Sequence, residues 1–169
     1  MLKKRSVIAI TALVFLGLMT VTSAKADDDG PQCYTAASLK GTYAAVATYG
    51  ANVAIALSVR HFDGHGNLTG TFTLNAPDLT STTGARKIIT GTQVGTYTIN
   101  CDGTGVETRT LTSSTGVVTT QMDDFLITQA VRHEDGGFLA TALQDMVRVP
   151  SALVPGGLFV FRSYTRRPD

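Results

Sequence analysis

Hydrophobic and polar side chains alternate along much of the chain. In residues 53–60, one parity carries Val53, Ile55, Leu57 and Val59, and the other parity carries small or polar side chains. A period of two predicts a β-strand with one buried face, and here we expect the aliphatic parity to be the buried one. The same alternation returns in residues 68–74. The pattern therefore indicates consecutive strands.

Short segments rich in glycine, asparagine and aspartate separate the apolar runs. Residues 63–67 read Asp-Gly-His-Gly-Asn, which is typical of a tight hairpin turn. Both faces of residues 117–133 are partly apolar, so a short helix around residues 122–131 is an alternative there. We prefer a strand, because a hairpin signal follows directly. The predicted strands are three within residues 38–74, followed by residues 86–100, 104–113, 117–133, 138–149 and 158–165.

About eight strands with turns between them predict an all-β protein. An open antiparallel sheet leaves two exposed edges, whereas closure removes them. We therefore predict an eight-stranded antiparallel up-and-down barrel, with a two-sheet β-sandwich as the alternative. Glycines inside the strands fit the sharp bending of a small barrel.

The amino terminus has the layout of an export signal. Lys3, Lys4 and Arg5 precede an apolar run at residues 7–19, and Ala24-Lys25-Ala26 offers a small-x-small cleavage pattern. The alternative is a retained anchor, but this run is shorter than the roughly 20 residues that span a bilayer. We predict a signal peptide at residues 1–26, a flexible lead-in at residues 27–37 and a single barrel domain at residues 38–166. The mature protein would be secreted or periplasmic, without a stable membrane anchor.

Cysteine content and net charge limit the kinds of site and partner that we expect for this protein. The chain has two cysteines, Cys33 and Cys101. In an exported chain they are expected to form a disulfide, so we predict no metal site. Removing residues 1–26 leaves 10 basic residues (14 − 4) against 13 acidic ones, a net charge of −3. This balance argues against a nucleic-acid partner.

Three segments carry a family resemblance. They are residues 33–43, with Cys-x4-Ser-Leu-Lys-Gly-Thr-Tyr, residues 62–70, and residues 95–105. Together they resemble a group of uncharacterised exported bacterial proteins whose barrel is similar to that of the allene oxide cyclase group of calycin-like folds. The resemblance implies a calycin-like barrel. It rests on turns, glycines and cysteines, so it implies no activity and no catalytic residue.

The barrel interior offers a site for a small apolar ligand. An eight-stranded barrel is just wide enough to be filled by side chains or to hold one small molecule. The alternative is a solid core in a structural or surface-interaction protein of the cell envelope, and a homo-oligomer is compatible with either hypothesis. The candidate ligand-binding residues, taken to face inward, are Tyr43, Leu57, Phe72, Tyr97 and Phe125.

Catalysis has little support in the sequence. Asp123 and Asp124 are the best polar candidates, but adjacent strand residues point to opposite faces and cannot serve one site. Since both cysteines are assigned to the disulfide, no nucleophile–base arrangement remains. We predict no cofactor and no catalytic residue, and a cyclase- or isomerase-like enzyme is the third alternative. The polar residues grouped with this pair by pattern are Arg60, Gln129, Arg132 and Arg148.

Overall fold

A computed structural model describes residues 33–50, 54–133, 136–149 and 160–168. The chain divides into two compact units, Met1–Gly30 and Pro31–Asp169, and every described residue belongs to the second. The predicted signal peptide and residues 27–32 of the lead-in lie outside the described residues. Among the residues that are described, no helix is both long enough and apolar enough to cross a membrane.

Eight antiparallel strands form a closed barrel in chain order, and β8 pairs back to β1. The predicted barrel is therefore confirmed, and the sandwich alternative is excluded. The helix considered at residues 122–131 is wrong, because a long strand occupies that segment. The strands are β1 (Lys40–Tyr49), β2 (Ala54–Asp63), β3 (Asn67–Pro77), β4 (Arg86–Ile99), β5 (Thr104–Ser113), β6 (Val118–Arg132), β7 (Phe138–Val149) and β8 (Val160–Arg166).

Inward side chains form three layers along the barrel axis. At one end lies an aromatic layer with large buried rings and aliphatic side chains. At the other end lies a cavity layer, which contains Ala47, Tyr49, Ala56, Leu74 and Val160. Between them lies a charged layer of buried polar side chains. The aromatic layer consists of Leu39, Tyr43, Ala45, Phe62, Leu68, Tyr97, Phe125, Ile127, Ala140, Leu143 and Tyr164.

The chain before β1 covers the aromatic end. A 3-10 helix, Ala36–Ser38, precedes β1, and the hydroxyl of Tyr97 donates to the carbonyl of Ala36 at 3.0 Å and to that of Leu39 at 2.8 Å. The backbone N–H of Tyr34 donates to the carbonyl of Cys101 at 3.0 Å. Part of the predicted flexible lead-in is therefore bound to the barrel.

A disulfide joins Cys33 to Cys101, as the sequence predicted. It links the segment before the 3-10 helix to the turn after β4. The two cysteines are 68 residues apart in sequence. In the chain-entropy model, closing a loop of this length stabilises the fold by roughly 4 kcal/mol.

The predicted inward face of β2 is wrong. Arg60 is buried at 1% exposure, whereas Leu57 on the opposite parity is 60% exposed. Ile55 and Val59 share the outward parity of Leu57. Because alternate strand residues face opposite sides, the strand can place only one parity inside. The inward position of Arg60, which belongs to the charged layer, sends these aliphatic side chains to the outer wall.

Candidate functional site

The charged layer contains three arginines and three carboxylates. They come from five strands, and each side chain is at most 4% exposed. Two glutamines complete the layer, and both are buried. The formal charges balance, which is the usual condition for burying ionised groups. The members of the layer are Arg60, Gln93, Glu107, Arg109, Gln121, Asp123, Asp145 and Arg162.

Arg109 and Arg162 hold the layer together. Arg109 Nη1 donates to Gln93 Oε1 at 2.8 Å, and its Nη2 donates to Gln121 Oε1 at 2.9 Å. Arg162 Nη2 donates to the same Gln121 oxygen at 3.0 Å. Gln121 Oε1 therefore accepts from two guanidinium groups. This double contact connects β5, β6 and β8 through one side chain.

The carboxylates complete the network. Arg162 Nη1 donates to Asp123 Oδ1 at 2.9 Å and to Asp145 Oδ1 at 2.7 Å. Arg60 pairs with Glu107, and its guanidinium carbon lies 4.8 Å from the ring centroid of Tyr164. Because these partners lie on distant strands, the network ties the barrel wall together across its interior.

Burial and pairing shift the pKa values in opposite directions. Burial raises the pKa of Glu107, and the nearby Arg60 and Arg109 only partly offset this effect. Burial also disfavours the charge on Asp123, but Arg109 and Arg162 hold the pKa of that carboxyl below its usual value. For Glu107, burial therefore affects the pKa more strongly than the neighbouring arginines do.

A metal ion does not fit this layer well. Oxygens of Glu107, Asp123 and Asp145 lie within 4.8 Å of one another. However, guanidinium groups already contact all three carboxylates. A divalent cation would add two positive charges to a balanced set, and arginine N–H groups cannot act as its ligands. The carboxylate cluster is better explained by its arginines.

A cavity of about 90 Å³ lies in the cavity layer. We call it the collar cavity. Its apolar walls include Phe72, Leu74, Ile89 and Leu111, and Gln121 connects it to the charged layer. An apolar wall with a few polar groups is typical of small-molecule sites. The remaining lining residues are Tyr49, Ser113, Thr115, Val117 and Thr119.

Phe72 owes its position to a glycine on the neighbouring strand. Phe72 and Gly91 are direct partners across β3 and β4. A Cβ atom built on Gly91 would overlap the Phe72 ring and the carbonyl oxygen of Thr112. The absence of a side chain at Gly91 therefore lets the Phe72 ring lie against β4.

The structure separates the five predicted ligand-binding residues. Three of them, Tyr43, Tyr97 and Phe125, belong to the aromatic layer. Phe62, which the sequence analysis did not single out, lies between two of them, with centroid distances of 5.4 Å to Tyr43 and 5.2 Å to Tyr97. These rings fill their end of the barrel. Of the five, Phe72 lines the collar cavity.

Leu57 lies on the outer wall, so its assignment to an interior ligand site is wrong. Hydrophobic alternation cannot tell an inward strand face from an outward one when the interior also carries charges. The sequence contained one indication of the true inward face, which is Arg60 on the opposite parity of β2. A buried arginine needs charged or polar partners, and these lie on other strands.

The carboxylates considered for catalysis separate as strand geometry requires. Asp123 is buried in the charged layer, whereas Asp124 lies on the outside and pairs with Arg148. Gln129 and Arg132 are exposed. Glu107, Asp145 and Arg162 were missed. The sequence pattern that could have identified them is the occurrence of polar residues at alternate positions on several strands. Such a pattern indicates a polar layer inside a barrel.

Two further grooves lie outside the barrel interior. A groove of about 550 Å³ lies at the aromatic end, between Cys33, His61 and Phe138. A groove of about 450 Å³ lies on the outer wall and includes Leu126, Met146 and Phe161. The Asp124–Arg148 ion pair also contributes to this outer groove.

A comparison of the chain with protein-family models, with curated proteins and with solved structures finds no match. The resemblance to exported proteins with an allene oxide cyclase-like barrel therefore stays a prediction.

Proposed function

We propose that the protein is an exported barrel that binds a small, largely apolar ligand in the collar cavity. The observation that carries the proposal is the combination of apolar walls with Gln121 at the boundary of the charged layer. The Cys33–Cys101 disulfide supports the export part, because such bonds persist in oxidising compartments. No catalytic step is part of the proposal.

The size of the cavity limits what it binds. Sites for drug-sized ligands have volumes of about 300–1,000 Å³. The collar cavity, at about 90 Å³, accommodates only a short alkyl chain or a small ring. We therefore expect a ligand that is anchored by one small apolar end.

A pair of leucine substitutions tests this site. Leu74 lines the cavity, and Leu57 lies on the adjacent strand and faces outward. Leu74→Phe fills the cavity, whereas Leu57→Phe adds the same atoms outside the barrel. With 1-hexanol as the probe, methyl NMR of the wild type should show shifts at Leu74, Ile89 and Leu111. We expect Leu74→Phe to weaken binding at least about tenfold, or 1.4 kcal/mol.

The control variant decides how the result is interpreted. Leu57→Phe should bind 1-hexanol as the wild type does. Equal binding by both variants, or shifts only in the aromatic layer, would contradict the proposed site. Native mass spectrometry of protein purified from its own cell envelope should show a bound small molecule. If that protein is empty and the probe causes no shifts, the binding proposal fails.

A second candidate is a surface-interaction protein of the cell envelope. The specific observation is the outer wall, where Val46, Ile55, Leu57 and Phe161 are all between 47% and 60% exposed. Val46 and Leu57 are direct partners across β1 and β2, so the apolar side chains are contiguous there. The filled aromatic layer also fits this candidate, since it leaves little interior volume at its end of the barrel.

A further inference from the structure

Four buried polar atoms, in the charged layer or next to it on β2, have no hydrogen-bond partner among the described residues. They are Ser58 Oγ, Arg60 Nε, Gln93 Nε2 and Glu107 Oε2. The last three belong to side chains that are at most 2% exposed. Buried polar groups in proteins are almost always hydrogen-bonded, often through an ordered water. Three such atoms in the charged layer and one beside it indicate a common partner.

Strand register places two of these residues, Arg60 and Gln93, on either side of one glycine. Gly70 on β3 pairs with Arg60 on β2 and with Gln93 on β4. A Cβ atom built on Gly70 would lie 3.1 Å from Gln93 Nε2 and would overlap the carbonyl oxygen of Val59. Glu107 is tied to the same place through its ion pair with Arg60. The wall therefore carries no side chain between Arg60 and Gln93.

The chemistry of the four atoms specifies the partner. Arg60 Nε and Gln93 Nε2 carry N–H donors, Glu107 Oε2 accepts, and Ser58 Oγ does both. A cation is disfavoured because two of these groups present N–H donors. An anion is disfavoured by Glu107, and either charge would disturb the balance of the layer. A neutral group that both donates and accepts satisfies all of them.

We propose that this cluster, around Ser58, Arg60, Gln93 and Glu107, is a site for a neutral group that both donates and accepts hydrogen bonds. Water occupies it in the free protein, and the hydroxyl or amide end of the ligand occupies it in the complex. The ligand part of this inference rests on the proposed function, whereas the water part does not.

The position of the site relative to the collar cavity fits one amphipathic ligand. On β3, Leu74 and Phe72 line the cavity, and Gly70 is the next residue of the same inward parity. Two residues along a strand correspond to roughly 7 Å. A short alkyl chain packed against Phe72 therefore places its polar end near the cluster, whereas Leu74 lies four residues, or roughly 14 Å, from Gly70. The ligand class is a small aliphatic alcohol or primary amide.

A crystal structure of the mature protein, determined with and without 1-hexanol, tests the site directly. Without the probe, we expect an ordered water hydrogen-bonded to Gln93 and Glu107. With the probe, its hydroxyl should replace that water. If no water is present in the free protein and no hydroxyl at that position in the complex, the inference is overturned.

The substitution Glu107→Gln changes whether the site requires a hydrogen-bond donor or an acceptor from its ligand. Glu107 Oε1 lies 2.9 Å from Arg109 Nε and also contacts Arg60. In Glu107→Gln, the amide oxygen must keep these contacts, so an NH₂ donor takes the place of Oε2. The site then prefers a group that only accepts hydrogen bonds. We expect 1-hexanol to bind about tenfold more tightly than 2-hexanone in the wild type, and this ratio to fall to about one in Glu107→Gln.

Charged probes test whether the site selects a neutral group. Hexanoate and hexylamine should each bind at least about tenfold more weakly than 1-hexanol to the wild type, because each adds a charge to a balanced layer. If 1-hexanol and 2-hexanone bind equally in both proteins, the ligand part of the inference fails while the proposed function stands. If no probe binds, the proposed function and the ligand part fail together, and the ordered water in the free protein decides the remaining part.

Discussion

The interior of the barrel is packed differently at its two ends. At the aromatic end, large rings meet edge to face, and the hydroxyl of Tyr43 donates to the carbonyl of Ala140 at 2.6 Å. The 3-10 helix and the disulfide cover that end. At the cavity end, side chains such as Leu74, Ile89 and Leu111 surround a void of about 90 Å³. One end is built for stability, and the other has room for a ligand.

The charged layer separates these two ends and explains why they differ. Each of its three arginines bonds to partners on two other strands, so the layer ties the barrel wall together across its interior. The aromatic end can therefore be packed fully, and the cavity end can keep a void without the wall collapsing. A void costs stability in proportion to its volume, so a retained void is consistent with a binding role.

The largest expected effect compares a phenylalanine from each end. Phe62→Ala removes a ring that is 0% exposed and in contact with two tyrosines. We expect it to lower the free energy of unfolding by about 3–5 kcal/mol. Phe72→Ala removes a half-buried ring beside an existing cavity, so we expect a loss of about 1–3 kcal/mol. Urea unfolding of both variants provides the measurement.

Probe binding separates the two substitutions further. Phe72→Ala should alter 1-hexanol binding, because its ring lines the collar cavity. Phe62→Ala, if it folds, should bind as the wild type does. Equal losses of stability, together with unchanged binding in Phe72→Ala, would show that the cavity end is only a less well packed core.

The pH dependence of stability tests whether the charged layer is sealed from the cavity end. Burial raises the pKa of Glu107 above its ordinary value of 4.5. A group with a raised pKa in the folded state contributes stability at low pH that is lost as the pH rises through that value. The wild type should therefore lose stability relative to Glu107→Gln as the pH rises above 4.5. The slope for one group is at most about 1.4 kcal/mol per pH unit.

Asp123 supplies the control, with the opposite sign. Its arginine partners lower its pKa, so its contribution is present above the ordinary value of 3.8 and is lost as the pH falls. The wild type should therefore gain stability relative to Asp123→Asn as the pH rises through this lower range. Unfolding free energies of the three proteins from pH 3 to pH 8 check both trends. A flat difference for Glu107→Gln would show that the charged layer does not exclude solvent from Glu107.

The fold was predictable because its signals are local. Turn segments such as residues 63–67 place the strand ends, and closure follows from the number of antiparallel strands. The disulfide was predictable because Cys33 has one possible partner. In β6, pairing with β7 shifts register between Ile127 and Gln129, which alternation cannot detect. Val131 therefore faces outward, although it shares the sequence parity of Phe125.

The candidate site was less predictable because it depends on contacts between distant strands. Arg60 and Glu107 are 47 residues apart in sequence, and nothing local in either strand indicates their pairing. Phe72 was identified from its parity, but parity alone could not assign it to a different layer from Tyr97. The position of a residue along the barrel axis depends on strand stagger, which the turns fix only in three dimensions.

The smallest expected effect concerns Leu57, the predicted interior residue that lies outside. Leu57→Ala should change the free energy of unfolding by no more than about 0.5 kcal/mol, because an exposed side chain loses little on truncation. Leu68→Ala is the matched control, since Leu68 is 2% exposed in the aromatic layer. It should cost about 2–5 kcal/mol.

Urea unfolding of both variants at two protein concentrations checks the difference. A loss above about 2 kcal/mol for Leu57→Ala that grows with protein concentration would mean that a second copy covers the outer wall. The surface-interaction candidate would then replace ligand binding as the better account of this barrel.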